Sequence, residues 1–251
     1  MNERHGSRVD GSPGDLDLHE ESQIPGSIPD LETDPASEAL PREGVDVGEI
    51  DREIVQLFAM VGEGLAGATH SLLAGDREAA RLLADRDEMI DTLYRNVESL
   101  AQMQLDRHSS GPGELHYLVA VLRMLPELER SGDLAEHIAR RAVRGLGMEL
   151  SHRARGLVER MGEVAIEMWH ATADAYVDRA PEIAETVDDL DDEMDELHVT
   201  LTAEIASGSM TLPVAIEAAL VARFYERFGD HAVNLARRIA ALAEHPATIW
   251  N

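Results

Sequence analysis

Four pairs of acidic residues, each pair spaced four positions apart, are the residues in this sequence best suited to chemistry. Residues i and i+4 of an α-helix lie about 40° apart around the axis and about 6 Å apart along it, so both carboxylates of a pair face the same way. Oxygen-only clusters of this kind suit hard cations such as magnesium, calcium, manganese and iron. The predicted metal ligands are Asp87, Asp91, Glu129, Asp133, Asp191, Asp195, Glu226 and Asp230.

The spacing alone is not specific in a chain this acidic. With 49 acidic residues among 251, chance produces such pairs repeatedly, and like charges four apart on a helix are mildly destabilising. These four pairs stand out because they recur in the same order, with matching flanks, in two parts of the chain. That recurrence is the reason for assigning them a role.

The flanking segments show that the chain is internally duplicated. ELERSGDLAEHIARR (127–141) has a near-copy in FYERFGDHAVNLARRI (224–239) at an offset of 97, and DRDEMIDTL (85–93) matches DLDDEMDEL (189–197) at an offset of 104. A third set of matches, at an offset of 100, places Gly62, Glu63 and His70 on Gly162, Glu163 and His170. Self-similarity in a fixed order predicts two tandem units.

The elements that must position these residues are helices. From residue 48 onward the apolar residues recur at helical spacing, and turn-forming segments such as LAGD (73–76), SSGPG (109–113) and SGS (207–209) separate the helices. The second helix is predicted at 77–106 and the fourth at 149–179. The predicted fold class is all-α, with six long helices in two tandem, pseudo-symmetric three-helix bundles. The predicted domains are 1–47, a disordered acidic tail, then 48–147 and 148–251, the two three-helix units.

Composition excludes several classes of function. Residues 1–47 hold 12 acidic and 3 basic residues by count and lack the apolar pattern of a folded segment. A formal net charge of −27 without any lysine repels nucleic acid and anionic lipid. The absence of cysteine excludes disulfides, zinc–thiolate sites and thiol nucleophiles. With no signal peptide and no long uninterrupted apolar run, the expectation is a soluble, cytoplasmic chain.

The position of the carboxylates predicts an open site rather than a buried catalytic pocket. Glu226 and Asp230 each lie two residues from Phe228, on the side of the helix away from its apolar stripe. Gly132 and Gly229 lie inside the acidic pairs and are unfavourable in a helix interior, which indicates that another backbone or a ligand approaches closely.

Neighbouring basic residues leave alternatives open. Arg130 and Arg227 could simply neutralise adjacent carboxylates, a structural role. His137 and His231 are candidates for added ligands or for groups that support a ligand.

At these residues the chain resembles the PhoU regulators of phosphate uptake. The resemblance is carried by LERSGDLAEHIARR, YERFGDHAVNLARRI, DEMID, DDEMD and SLLAGDREAARLL, and it spans roughly 48–245, including the duplication. It implies multinuclear iron or zinc bound by the acidic pairs, with magnesium or manganese as the alternative, and a homodimer. It also implies repression of the phosphate regulon, through partners that are the ATPase of the phosphate ABC transporter and a membrane sensor histidine kinase.

Two positions inside the resemblance depart from the family pattern. Ser131 stands where the family has a branched aliphatic residue, which predicts looser packing in the first unit. Pro126 falls three residues before Glu129 and is expected to kink the third helix or to restart it. The acidic tail has no counterpart in the family. None of these departures removes a candidate ligand.

Two other functions compete with the regulator. A ferritin-like di-iron protein needs Glu-x-x-His on each of two helices, whereas both matches here, Glu149/His152 and Glu167/His170, are predicted on the fourth helix, about 27 Å apart by helical rise. A metal-free acidic helical adaptor for a transporter is the other alternative. No nucleophile–base constellation or nucleotide-binding loop is present, so the chain is not expected to be an enzyme.

Overall fold

The structure, a computed structural model, describes residues 47–84, 87–107 and 111–244. Within these ranges the chain is helical and contains no strand, which confirms the all-α prediction. The helices are α1 Val47–Ala74, α2 Arg77–Ala84, α3 Asp87–Leu105, α4 Pro112–Val143, a 3-10 turn Leu146–Met148, α5 His152–Asp178, α6 Ile183–Ala206 and α7 Leu212–Ala243. The predicted second helix corresponds to α2 and α3 together. The predicted tail lies outside the described residues, except for Val47.

The predicted turns fall where residues with special backbone preferences occur. Gly75, after α1, and Gly208, after α6, adopt positive φ angles of 71° and 76°, a conformation that glycine adopts without steric cost. Pro112 begins α4 and Pro213 lies at the start of α7, where a missing backbone N–H breaks no helical hydrogen bond. At these four places the helix boundaries fall where the sequence indicates.

Pro126 does not restart the third predicted helix. α4 is continuous from Pro112 to Val143 and contains Pro126 in its interior. The flanking Leu125 and Leu128 are buried, so packing on both sides of the proline holds the helix together although one backbone hydrogen bond is lost.

The crossing of α1 and α5 explains the glycines that match at an offset of 100. A Cβ atom at Gly62 would lie 3.0 Å from Cδ1 of Trp169, and a Cβ atom at Gly162 would lie 2.4 Å from Cγ2 of Thr69. Thr69 and Trp169 are themselves 100 residues apart, so the two contacts are related by the duplication. The Trp169 indole N–H donates to the Phe58 carbonyl oxygen at 2.8 Å. Gly62 and Gly162 have no side chains, and this lets α1 and α5 approach closely.

The two halves share one core and also buried polar contacts. The Thr69 hydroxyl lies 2.8 Å from the Tyr225 hydroxyl. Asp51 on α1 accepts a hydrogen bond from the Tyr176 hydroxyl at 2.7 Å and pairs with Arg179 at 2.8 Å, at the end of α5. Buried polar groups are costly unless they are paired, and each of these is paired across the boundary between the halves.

One described helix, α1, is long and apolar enough to cross a membrane by length and composition alone. Half of its most apolar window is buried inside the bundle. Its apolar residues pack in the core of the bundle, with Leu57, Val61 and Leu65 fully buried. A core helix of this kind passes the same test as a membrane span.

Candidate metal centre

In the second half, α6 and α7 bring the four predicted carboxylates into one neighbourhood. Gly229 lies between Glu226 and Asp230 on α7, and a Cβ atom at this position would lie 3.2 Å from Oδ1 of Asp191 on α6. The absence of a side chain at Gly229 thus admits the Asp191 carboxylate to the surface of α7. The sequence predicts the close approach of another backbone or a ligand to this glycine, whereas the group that approaches it here is the Asp191 side chain.

The carboxylates of this half perturb one another. Burial, followed by the negative charges of Asp195 and Asp230, raises the pKa of Asp191 to about 6. Burial and the charge of Asp230 also raise the pKa of Glu226, against the opposing effect of Arg223. Like charges that share a site disfavour ionisation, so the four groups act as one electrostatic cluster, whose members belong to α6 and α7.

Glu226 carries an unsatisfied oxygen. One carboxylate oxygen, Oε1, pairs with Arg223, whereas Oε2 is buried and has no hydrogen-bond partner among the described residues. A buried acceptor without a partner is costly, and a cation would satisfy it. The donor set is oxygen-only, which fits a hard cation.

Exposure divides the second-half cluster into an inner and an outer pair. Asp195 and Asp230 are exposed, whereas Asp191 is half-buried and the Glu226 side chain retains 14% exposure. The prediction of a site open to solvent therefore holds for the outer pair, Asp195 and Asp230. Glu226 is less exposed than the sequence predicts from its position on the side of α7 away from Phe228.

In the first half, Asp91 on α3 and Asp133 on α4 form the corresponding neighbourhood. Burial raises the pKa of Asp133, the Asp91 charge raises it further, and His137, Arg140 and Arg130 oppose the rise. Glu129 acts on the same region, because its charge contributes to the raised pKa of Tyr94 on α3. The side chain of the remaining predicted ligand, Asp87, lies outside the described residues.

The two glycines that lie inside the acidic pairs, Gly132 and Gly229, contact different kinds of side chain. A Cβ atom at Gly132 would lie 3.0 Å from Cδ1 of Ile90, so an apolar side chain of α3 occupies the place that Asp191 takes beside Gly229. The first site is accordingly built on a more apolar helix contact.

No three carboxylates or histidines of the described ranges are already gathered around a point that a metal ion would occupy. Mutual repulsion keeps carboxylates apart unless a cation compensates their charge. The assignment of the eight ligands stays a prediction.

The hydrogen bonds of the two candidate histidines go to groups other than the paired carboxylates. His231 is buried, with Nδ1 3.1 Å from the Ser131 hydroxyl on α4 and Nε2 3.8 Å from the Glu127 carboxylate. Burial, with the charges of Arg227 and Arg130, lowers its pKa to about 4, so it is neutral at pH 7. His137 directs Nδ1 to the Asp133 carbonyl oxygen at 2.6 Å. Ser131, predicted to loosen the packing, is fully buried and donates to the Glu127 carbonyl oxygen at 2.7 Å.

Two charged residues of the second site are not among the residues predicted from the sequence. Arg223 pairs with Glu226, and the charge of His198 acts on the same carboxylate. Both lie at helical spacing from a predicted ligand, Arg223 three residues before Glu226 and His198 three residues after Asp195. That spacing is the signal that would have identified them.

The ferritin-like alternative fails on position. Its first Glu-x-x-His match begins at Glu149, which follows the 3-10 turn and precedes α5. The predicted start of the fourth helix at 149 is thus three residues early. Only Glu167 and His170 lie together on α5, which leaves a single match where two are needed.

Neutralising Asp191 should stabilise the metal-free protein at neutral pH. The folded pKa of about 6 exceeds the ordinary value of 3.8, so the charged form is penalised above pH 6 and the penalty disappears as the pH falls toward 4. Asp191→Asn should therefore raise the free energy of unfolding at pH 7.5, by at most about 1 kcal/mol because solvent screens a half-exposed group. Urea unfolding of chelator-treated protein at pH 7.5 and 4.5 measures this. An equal difference at both pH values would contradict it.

Comparison with known proteins agrees with this architecture. The model of the PhoU domain matches twice, at residues 54–142 and 158–239. The chain is 31% identical over 199 residues to the phosphate-specific transport system accessory protein PhoU homolog 2 of Mycobacterium tuberculosis, covering 77% of this chain and 92% of that protein. It is 30% identical over 196 residues to homolog 1 of Mycobacterium leprae, covering 77% and 88%.

Solved structures share the fold. PhoU from Pseudomonas aeruginosa has a TM-score of 0.73 at 24% identity and covers 78% of this chain and 96% of its own. The phosphate transport system regulatory protein PhoU from Streptococcus pneumoniae has a TM-score of 0.70 at 21% identity and covers 79% and 95%. With the domain present in both halves and relatives of this identity over most of their length, the chain belongs to the PhoU family of phosphate transport accessory proteins.

Proposed function

We propose that this protein is a cytoplasmic, metal-dependent negative regulator of phosphate-starvation signalling. It links the phosphate ABC transporter to a sensor histidine kinase and restrains the kinase when phosphate is plentiful, and it touches the membrane only through these partners. Its relatives are named as accessory proteins of phosphate-specific transport systems, which supports the transporter link. The acidic surface, with a formal net charge of −27, supports partners that are proteins rather than nucleic acid.

The observation that carries the metal part is the unsatisfied oxygen of Glu226 inside a cluster of coupled carboxylates. Asp191, Asp195, Glu226 and Asp230 would hold the metal of the second half, and Asp87, Asp91, Glu129 and Asp133 that of the first. A bound cation supplies positive charge and Lewis acidity there. Iron or zinc is proposed from the family, and magnesium or manganese is the alternative that the oxygen-only donors allow.

The protein's own residues then set the docking surface. With the carboxylates compensated, Asp195 and Asp230 no longer present an uncompensated negative patch on the exposed side of α6 and α7. Arg223 holds Glu226 from the solvent side through its ion pair. The proposed assembly is a homodimer that contacts its partners transiently, because release must follow when phosphate falls.

Deletion of the gene tests the regulatory role. Phosphate-uptake genes should be expressed in phosphate-rich medium in the deletion strain, because the restraint on the kinase is lost. A reporter fused to the promoter of the transporter operon measures this, and a wild-type copy should restore repression. Normal repression in a deletion strain without a second family member would refute the regulator and favour the metal-free adaptor.

A further inference from the structure

A groove with methionines on both sides runs between α1 and α3. We call it the α1–α3 groove and define it by Gln56, Met60, Met89, Ile90, Leu93 and Asn96. Its open part has a volume of about 740 Å³. At one end it deepens into a cavity of about 220 Å³ that reaches α4 at Gly132 and Glu136. A site of this size accommodates several side chains of a ligand.

The duplication supplies an internal comparison for this groove. At the offsets of 100 and 104, Met60 and Met89 correspond to Arg160 and Glu193. Arg160 Nε donates to Glu193 Oε1 at 2.7 Å, so an ion pair bridges α5 and α6 at the equivalent place. In the first half no such bridge joins Met60 and Met89, and Met89 is 59% exposed. Methionine is flexible and polarisable, and is used on surfaces that accept another helix.

The deep end of the groove also differs from its counterpart. Glu136 corresponds to Val233 at the offset of 97, and Gly64 corresponds to Val164 at the offset of 100. Both valines are buried in the second half, where they fill space. In the first half Gly64 leaves that space open, and Glu136 puts a carboxylate there that is only 9% exposed and pairs with Arg140 at 2.5 Å. Arg140 compensates this charge, so Glu136 gives the cavity a polar wall where Val233 gives its counterpart an apolar one.

The margins of the groove are acidic. Glu63, Glu88 and Glu136 line it, and Glu53 lies beside it, with Oε1 accepting from Asn96 at 2.6 Å and Oε2 buried without a partner among the described residues. Arg95 also lines the groove and carries one positive charge, with its Nε donating to the Asp91 carbonyl oxygen of its own helix. Glu53, Glu63 and Glu88 outnumber it, so the margin keeps a net negative charge that is complementary to a positively charged partner.

From these features we infer that the α1–α3 groove docks a basic amphipathic helix of a partner protein. The groove follows α3 from Glu88 to Ser99, about 16 Å or three helical turns by rise. A helix laid there places apolar residues at i, i+3 or i+4, and i+7 against the methionines. Its lysines and arginines face Glu53, Glu63 and Glu88. The inference does not rest on the metal-dependent function proposed above.

The test transplants the ion pair of the second half into the first. The probe is a fluorescein-labelled synthetic helix of leucine and lysine, about four turns long, and binding is measured by fluorescence anisotropy. Met60→Arg/Met89→Glu leaves the net charge unchanged but closes the groove. It should raise the Kd of the probe at least about 10-fold. The matched control, Met103→Glu/Met148→Arg, makes the same exchange at exposed methionines outside the groove and should leave the Kd within about twofold of the wild type.

Each outcome of this experiment either supports the inference or overturns it. Equal binding by the wild type and the groove-closing variant, or binding of a leucine–glutamate helix as tight as that of the probe, would overturn the inference in favour of non-specific attraction to an acidic protein. If the groove-closing variant differs from the wild type in its mass by sedimentation but still binds the probe, the inference is overturned and the groove is a contact with a second copy of this chain. If the double variant does not fold by circular dichroism, Met89→Arg alone, at an exposed position, replaces it with Met103→Arg as its control. The charge repels the lysines of the probe in the groove, so Met89→Arg should raise the Kd and Met103→Arg should not. Equal Kd values for these two variants would overturn the inference. Metal content should match the wild type in all variants, which separates this test from that of the metal site.

Discussion

The Glu226→Ala/Asp230→Ala variant should lose the metal of the second half and retain that of the first. Glu226 provides the unsatisfied buried oxygen and Asp230 the neighbouring charge, so the variant removes both carboxylates that α7 contributes. Elemental analysis of protein purified without a histidine tag measures the loss, expected to be about half of the bound metal if each half binds alike. Full metal content in the double variant would show that the site assignment is wrong.

A matched pair on α6 provides the control. Asp192 and Glu196 have the same spacing, are exposed, and are not among the predicted ligands. Asp192→Ala/Glu196→Ala removes the same charge and should keep the wild-type metal content.

The same two variants separate metal binding from folding. Without metal, the ligand variant should be hardly less stable than the wild type, because the removal of like charges four apart offsets the loss of the Arg223–Glu226 ion pair. With metal at 100 times its Kd, the wild type should gain about 2.7 kcal/mol per site, and the ligand variant should lack the gain of its second site. Thermal unfolding with and without added metal measures both effects. The ligand variant should also restore repression poorly in the deletion strain.

Gly147→Ala should cause a large loss of stability. A Cβ atom at Gly147 would lie 1.8 Å from the Leu72 carbonyl oxygen on α1, and this oxygen belongs to a helix backbone that cannot rotate away. The Gly147 carbonyl oxygen also accepts from Arg155 Nη1 at 2.9 Å, which holds the turn in place. Overpacking at a rigid contact costs roughly 3 kcal/mol, or a fall in Tm of about 6–12 °C for a chain of this size.

Gly156→Ala is the control for the glycine prediction. Gly156 is exposed on α5, and nothing lies within 4 Å of the position that its Cβ atom would take. Alanine should stabilise the helix there by about 0.5–1 kcal/mol. Calorimetric melts of both variants compare the two positions. If Gly147→Ala has the same Tm as the wild type, the 3-10 turn does not pack tightly on α1.

The sequence by itself determined the helical class, the order of the helices and the duplication. Helical spacing and turn residues are local properties of the chain, so Gly75 and Gly208 marked helix ends correctly and the helical class followed. Ordinary helix packing within a unit also predicted that its second and third helices bring their acidic pairs together, and in the second half Asp191 meets the surface of α7 at Gly229. Two local expectations gave way to tertiary packing: of the kink or restart expected at Pro126 the restart does not occur, because α4 is continuous, and α5 begins three residues after the predicted start.

Tertiary structure alone decided where side chains of different helices meet. The contact between His231 and Ser131 joins residues 100 positions apart, and periodicity within one helix holds no information about its neighbour. The same holds for Gly229, whose space Asp191 occupies, and for Gly132, whose space Ile90 occupies. The α1–α3 groove depends on the packing of two helices against a third, whereas its counterpart is bridged by Arg160 and Glu193. Burial and contact arise only when helices pack, because they depend on atoms that are distant in the chain.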